Sequence, residues 1–215
     1  MHVVVPVKPL RASKSRLSGL LGPRDREELA SAMLADVLSA LSEARCVEAV
    51  LVVSPDEKVR AISERFGARF LPEPRPLGLD GAVELATRWC IREGAGAVLV
   101  LHADVPLVSG ADLEFLALAR EAHQVVLAPS RDLRGTNALL RSPPDVLETS
   151  YGPGSFRRHL SSALAKGLRT LVYYSRTLAL DIDGPDDLRE LAKRGPSGRR
   201  SVRVARELLA RQVQA

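Results

Sequence analysis

The sequence predicts an α/β fold of three layers, α/β/α, with helices covering both faces of a mixed but mostly parallel sheet. Two observations predict it. Short apolar runs recur along the chain and alternate with stretches of helical periodicity, the order expected of strand–helix–strand units. The strongest run, AVLVL at 97–101, lies between Gly96 and Pro106 and contains no polar residue, as a central strand buried on both faces requires. Right-handed crossovers then gather the carboxyl ends of such strands on one edge, where ligands of open α/β sheets bind.

Taken in order, residues 2–7 form a first strand. Residues 23–41 form a long amphipathic helix, with Pro23 in its first turn and Leu29, Met33, Leu34, Val37, Leu38 and Leu41 on one face. Residues 49–54 are a second buried strand, 56–66 a helix stopped by Gly67, 68–71 a short third strand, and 80–93 a helix ended by Gly94. After the strand at 97–101, Ser109 and Asp112 are spaced as a capping pair for the next helix. Residues 124–128 are a strand and 137–141 an antiparallel addition. A helix at 155–166, extended segments at 168–175 and 178–182, and a helix at 185–193 complete a body spanning 1–195, without internal repeat or linker.

A chain of 215 residues suits one sizeable domain, and 46% hydrophobic residues with no long apolar run argue against a membrane protein. The N-terminus, MHVVVPVKP, has neither a basic region before an apolar stretch nor a small-residue cleavage site, so a cytoplasmic location is expected. Cys46 and Cys90 read as small core residues, too few for a disulfide or metal framework. The net charge of +5 invites a nucleic-acid reading, but its distribution opposes one. Residues 193–215 hold seven Lys or Arg against one acid, leaving 24 bases against 25 acids in residues 1–192. The excess sits in a tail, 196–215, with a short helix at 201–211 and no aromatic residue for base stacking, which favours a packing arm.

Three features point to chemistry on the sheet edge. Asp104, just past the central strand, is placed to hold a metal ion, although one carboxylate there also serves to cap a turn. The first strand runs into VPVKPLRASKSRL, where Lys8, Lys14 and Arg16 share a loop with Ser13 and Ser15 and no acid. Such a loop concentrates the charge and hydroxyl donors a triphosphate needs, and by itself is equally an ordinary basic surface loop. It is neither a Walker A loop nor a G-x-G-x-x-G turn, which weakens P-loop and dinucleotide readings. Near the other end, LALDID sets Asp181 and Asp183 two apart, on one side of an extended segment, where they can join Asp104. Asp183 is also placed to cap the helix that follows.

Together these residues resemble the nucleotidyltransferases of the GT-A type. Within them the chain is more similar to the 2-phospho-L-lactate guanylyltransferases of coenzyme F-420 synthesis and their bacterial relatives acting on phosphoenolpyruvate. The segments that carry the resemblance are VPVKPLRASKSRL, LVVSPD at 51–56, GLDGAVELA at 78–86, LVLHADVPL at 99–107, GTNALL at 135–140, YGPGSFRRHL at 151–160 and LALDIDGPDDL at 178–188. GTNALL followed by GPGSF is the most specific part, because molybdenum-cofactor and sugar-phosphate transferases, the alternative reading, do not carry it. The family more often has Pro where His102 stands and Asn where Asp80 stands.

The resemblance implies GTP phosphates against Lys8, Lys14 and Arg16, with Lys8, Lys14 and Asp104 the catalytic set. It implies Mg2+ on Asp104, Asp181 and Asp183, and a small phosphoacid at Thr136, Asn137, Gly152 and Ser155. Asp80 falls in the implied base pocket, where a carboxylate can accept both N1–H and N2–H of guanine. The expected partners are GTP and the phosphoacid, without nucleic acid or membrane, and a homodimer is compatible with this reading. No histidine is needed for catalysis, since the attacking phosphate is already ionised; His159 is expected to be a surface or packing residue.

Overall fold

In the computed structural model, which describes residues 1–75 and 77–213, seven strands form one sheet in the order β3-β2-β1-β4-β6-β5-β7. The strands are β1 (His2–Pro6), β2 (Ala49–Ser54), β3 (Arg69–Pro72), β4 (Val98–Leu101), β5 (Val125–Pro129), β6 (Thr136–Arg141) and β7 (Thr170–Val172). The helices are α1 (Pro23–Glu43), α2 (Glu57–Arg65), α3 (Gly78–Arg92), α4 (Gly110–Ala119), α5 (Ser155–Ala165), α6 (Pro185–Arg194) and α7 (Arg200–Val213). No helix among the described residues is long and apolar enough to cross a membrane.

The three layers follow from the period-2 alternation of the strands. Val3 and Val5 of β1 pack into one core with Leu29, Val37 and Leu41 of α1, whereas Val4 packs into the other with Val83 and Ala86 of α3. β4 is buried along its whole length, as its uninterrupted apolar run predicts. The capping pair is realised at α4, where Ser109 and Asp112 exchange side-chain-to-backbone hydrogen bonds.

β6 is antiparallel, as expected, and is inserted between β4 and β5, pairing with both. Its six residues are all buried, so it belongs to the centre of the sheet and carries Thr136 and Asn137 to the strand end beside Asp104. Residues 178–182 are not a strand. They have no ladder partner and are tied in by Ile182 N–H, which donates to the Asp104 carbonyl at 3.0 Å.

The basic C-terminal segment folds onto the body. Val202, Val204, Ala205 and Leu208 of α7 are buried in the same core as α1. Asp36 of α1, itself buried, accepts from Arg200 N–H, Ser201 N–H and the Ser201 hydroxyl, at 2.9, 2.8 and 2.6 Å. A carboxylate at a helix N-terminus is favoured by the orphan N–H groups and the helix dipole together. Residues 214 and 215 of the expected tail lie outside the described residues.

Candidate active site

β1 ends in a loop that makes two short 3-10 turns, Leu10–Ala12 and Ser15–Leu17. The loop is fastened from below: Asp56, which caps α2 by accepting from Lys58 N–H at 2.9 Å, also accepts from Leu10 N–H at 2.9 Å. Between the turns Lys14 adopts the left-handed region, φ 57°, ψ 39°. A non-glycine residue there costs energy that surrounding contacts must offset, and such residues cluster at functional sites. The contacts are visible. Lys14 Nζ lies 2.8 Å from Asp104 Oδ2 and 3.2 Å from Asp183 Oδ1, and Arg16 Nη1 lies 3.2 Å from Asp183 Oδ2.

This arrangement lines a cleft of about 570 Å3 with Lys8, Ser13, Lys14, Ser15 and Arg16 on one side and His102, Asp104 and Asp183 on another. Val53, Leu79 and Ala82 add an apolar wall. Lys8 is exposed and pairs with no carboxylate among the described residues, whereas the Lys14 side chain is 7% exposed. Burial alone would lower the Lys14 pKa, but the charges of Asp104 and Asp183 outweigh it and hold the ammonium firmly protonated. Burial would likewise raise the Asp104 carboxyl. Lys14 and then His102 overcome that, and the group stays ionised below its ordinary range.

Asp181 behaves differently. Its carboxyl is pushed up to about 6, first by burial and then by the negative charge of Asp104 nearby. It accepts from Asn137 Nδ2 at 3.2 Å, and the same amide donates to the Leu178 carbonyl at 2.8 Å. The donor chemistry fits a hard divalent cation. Asp104 Oδ1 is buried without a hydrogen-bond partner, and the crowding of Asp104 against Asp181 is what such an ion would relieve. As they stand, no three His, Cys, Asp or Glu side chains among the described residues are grouped to ligate one ion, and the Lys14 ammonium holds Asp104 and Asp183 instead.

The residues expected at the acceptor form a second group. Thr136 Oγ1 is 3.0 Å from His159 Nδ1 and accepts from the Ser155 hydroxyl at 3.3 Å; Ser150 N–H donates to His159 Nε2 at 2.8 Å. Gly152 has φ 103°, a conformation that favours glycine, and starts the turn into α5. The Arg158 guanidinium clamps this turn by donating to the carbonyls of Ser150 and Tyr151, both at 2.9 Å, and to that of Pro153. The N-terminus of α5 is partly closed, because Ser155 N–H and Phe156 N–H already donate to the Gly152 and Arg134 carbonyls.

The two groups meet through His102 and Asn137. His102 N–H donates to the Asn137 carbonyl at 3.1 Å, and the His102 ring lies 5.2 Å from that of Tyr151. Lys8, Lys14, Arg16, Asp104 and Asp183 therefore share the cleft, whereas Asp181, Asn137, Thr136, Gly152 and Ser155 do not line it; Asn137 bonds to Asp181 and Ser155 to Thr136. Asp80 has another partner. Both its oxygens accept from Tyr151 N–H, at 2.9 and 3.2 Å, and it does not line the cleft, so its carboxylate fastens the 150–154 turn. Sequence reasoning gave no role to Arg158 or to Glu73, which lines the cleft and accepts from Leu77 N–H. Their signal was only proximity to glycine-rich turns.

A mixed α/β sheet with helices on both faces, whose strand ends carry a basic loop opposite Asp104 and Asp183, defines the class by its fold: that of the nucleotidyltransferases. The whole-chain comparison shows the fold: a crystal structure from Desulfovibrio desulfuricans G20 superposes with a TM-score of 0.80 at 17% identity, over 99% of this chain and 96% of that one. The chain belongs to the family described as "Guanylyl transferase CofC like", whose model matches residues 1–210. It is 44% identical over 196 residues to a phosphoenolpyruvate guanylyltransferase of Rubrobacter xylanophilus, spanning 91% of this chain and 95% of that protein. It is 34% identical over 213 residues to a 3-phospho-D-glycerate guanylyltransferase of Phenylobacterium zucineum, spanning 98% and 97%.

Proposed function

We propose that this protein transfers GMP from GTP to the phosphate of a three-carbon phosphoacid and releases pyrophosphate. The observation that carries the reading is the cleft in which Lys8, Lys14 and Arg16 face Asp104 and Asp183. GTP phosphates reaching the cleft take the place that the carboxylates now hold around Lys14 and Arg16, and Lys8 is already available. An oxygen of the acceptor phosphate attacks the α-phosphorus in line; its bond to the β-phosphate bridge breaks, and a diphosphate diester of guanosine and the acid forms. The acceptor phosphate is ionised near neutral pH, so no side chain need remove a proton. Catalysis is positioning and charge neutralisation: Lys14 and Lys8 meet the charge that gathers on the transferring and leaving phosphates.

A magnesium ion on Asp104 and Asp181, with Asp183 beside them, would add further neutralisation of the same charge. The orphaned Asp104 oxygen supports that choice of residues. Family membership supports guanine as the base and a phosphoacid as acceptor. The relatives are named for phosphoenolpyruvate and 3-phospho-D-glycerate, and 2-phospho-L-lactate belongs to the same chemical set. On the family resemblance we read the reaction as a step of coenzyme F-420 biosynthesis in the cytoplasm. Pyrophosphate release from GTP and Mg2+, measured with each of these three acids, tests the reading. Release that depends on one of them is expected; release only with a sugar phosphate or molybdopterin would overturn it.

A further inference from the structure

We propose that His159 is a positioning residue for the acceptor: its imidazole holds the Thr136 hydroxyl by the oxygen, so that the hydroxyl's own proton is left to point at an oxygen of the phosphoacid. This rests on the reading of Thr136 and Ser155 as acceptor ligands.

The hydrogen-bond pattern fixes the state of the ring. A backbone N–H can only donate, so His159 Nε2, 2.8 Å from Ser150 N, must present a lone pair. The ring proton is therefore on Nδ1, 3.0 Å from Thr136 Oγ1, and the hydroxyl oxygen accepts it. A charged imidazolium would set N–H against N–H at Ser150, and burial pushes the His159 pKa down to about 4, consistent with a neutral ring. Thr136 Oγ1 receives a second hydrogen bond from the Ser155 hydroxyl at 3.3 Å. Both oxygen lone pairs are then engaged, and the Thr136 hydroxyl donates to no group among the described residues. Its proton is the donor that remains for an anionic ligand.

The ring itself is held on every side. His159 is 1% exposed, and Tyr151 packs edge-on against it with ring centroids 5.0 Å apart. One side chain of α5 thus links the start of β6 to the 150–154 turn, the two segments that carry Thr136 and Gly152.

Two variants separate the halves of this link. In His159→Asn the side-chain amide can replace Nδ1–H toward Thr136; in His159→Gln the amide oxygen can replace Nε2 toward Ser150, and the donor to Thr136 is lost. With Thr136→Val as reference, acceptor KM, kcat, GTP Kd and melting temperature are measured for each. We expect His159→Gln to raise acceptor KM on the order of tenfold, with kcat changed less and GTP Kd unchanged, and His159→Asn to stay within about threefold of wild type, the scale of one hydrogen bond. Equal KM changes in both variants, following the loss of melting temperature, would overturn the proposal as mere packing. An unchanged KM in His159→Gln alongside a raised KM in Thr136→Val would overturn the positioning role alone, whereas an unchanged KM in Thr136→Val would remove the acceptor reading beneath it. Nitrogen-15 shifts of the wild-type imidazole test the same point without a variant: an Nδ1–H neutral ring is expected, and an Nε2–H or charged ring would overturn it.

Discussion

Lys14 Nζ sits 2.8 Å from Asp104 Oδ2, so the cation of the basic loop and the carboxylate beyond the central strand neutralise each other across 90 residues of sequence. Each charge is paired within the protein. The consequence is that substrate charge must be exchanged for protein charge, and removing Asp104 disturbs both sides of that exchange. Asp104→Asn should fold, since the amide can keep a hydrogen bond to Lys14, yet pyrophosphate release should fall at least about 100-fold, the scale seen when one transition-state electrostatic contact is lost. Circular dichroism beside a turnover assay checks it, and near-normal release by a folded variant would remove Asp104 from the reaction.

Asp80 offers a sharper choice, because its two oxygens are spent on Tyr151 N–H. Asp80→Ala should cost about 1–3 kcal/mol of stability, as expected for a hydrogen bond to a charged group, and leave the preference for GTP over ATP unchanged. Urea unfolding and the ratio of kcat/KM for the two nucleotides decide it. A narrowed preference with undiminished stability would return Asp80 to the base pocket.

The fold was legible in the sequence to the extent that periodicity carries it. AVLVL announced β4, Pro23 and the apolar face announced α1, and the Ser109–Asp112 spacing announced its cap. The placing of Asp104 and Asp183 on one edge was also legible, since both line the cleft, whereas Asp181 does not line it and no three carboxylates among the described residues are grouped. Residues 178–182 join no ladder, so Asp183 reaches the cleft on a loop tied to the Asp104 carbonyl rather than through strand alternation. The partner of Asp80 and the link from His159 to Thr136 were not legible, because hydrogen bonds spanning 71 and 23 residues leave no local spacing to read.

His159 gives the stability a pH dependence of known sign. Its folded pKa of about 4 lies below the ordinary value of 6.5, so on acidification the unfolded chain takes up the proton first. Stability from this group is full above about pH 6.5, declines as pH falls toward 4, and is level below; the loss is on the order of 3 kcal/mol. Urea midpoints of wild type and His159→Asn across that window should therefore converge on acidification. Parallel profiles would contradict a buried neutral ring.

The C-terminal helix should behave as part of the domain. Asp36 is 1% exposed and satisfies two N–H groups and a hydroxyl at the start of α7. Asp36→Ala should cost about 3 kcal/mol or more, since it strands several buried donors at once. A chain ending at residue 195 exposes the apolar face of α1 and should lose its cooperative melting transition; a sharp transition at the wild-type temperature would show α7 to be dispensable.

The central claim is that an oxygen of the acceptor's phosphate attacks the α-phosphorus of GTP. Phosphoenolpyruvate labelled with oxygen-18 in its phosphate, incubated with GTP, Mg2+ and the protein, tests it directly by mass spectrometry of both products. The account predicts all the label in a guanosine diphosphate diester of the acid, including its bridging oxygen, and none in pyrophosphate. Label in the released pyrophosphate, or free GMP with a pyrophosphorylated acid, would contradict it.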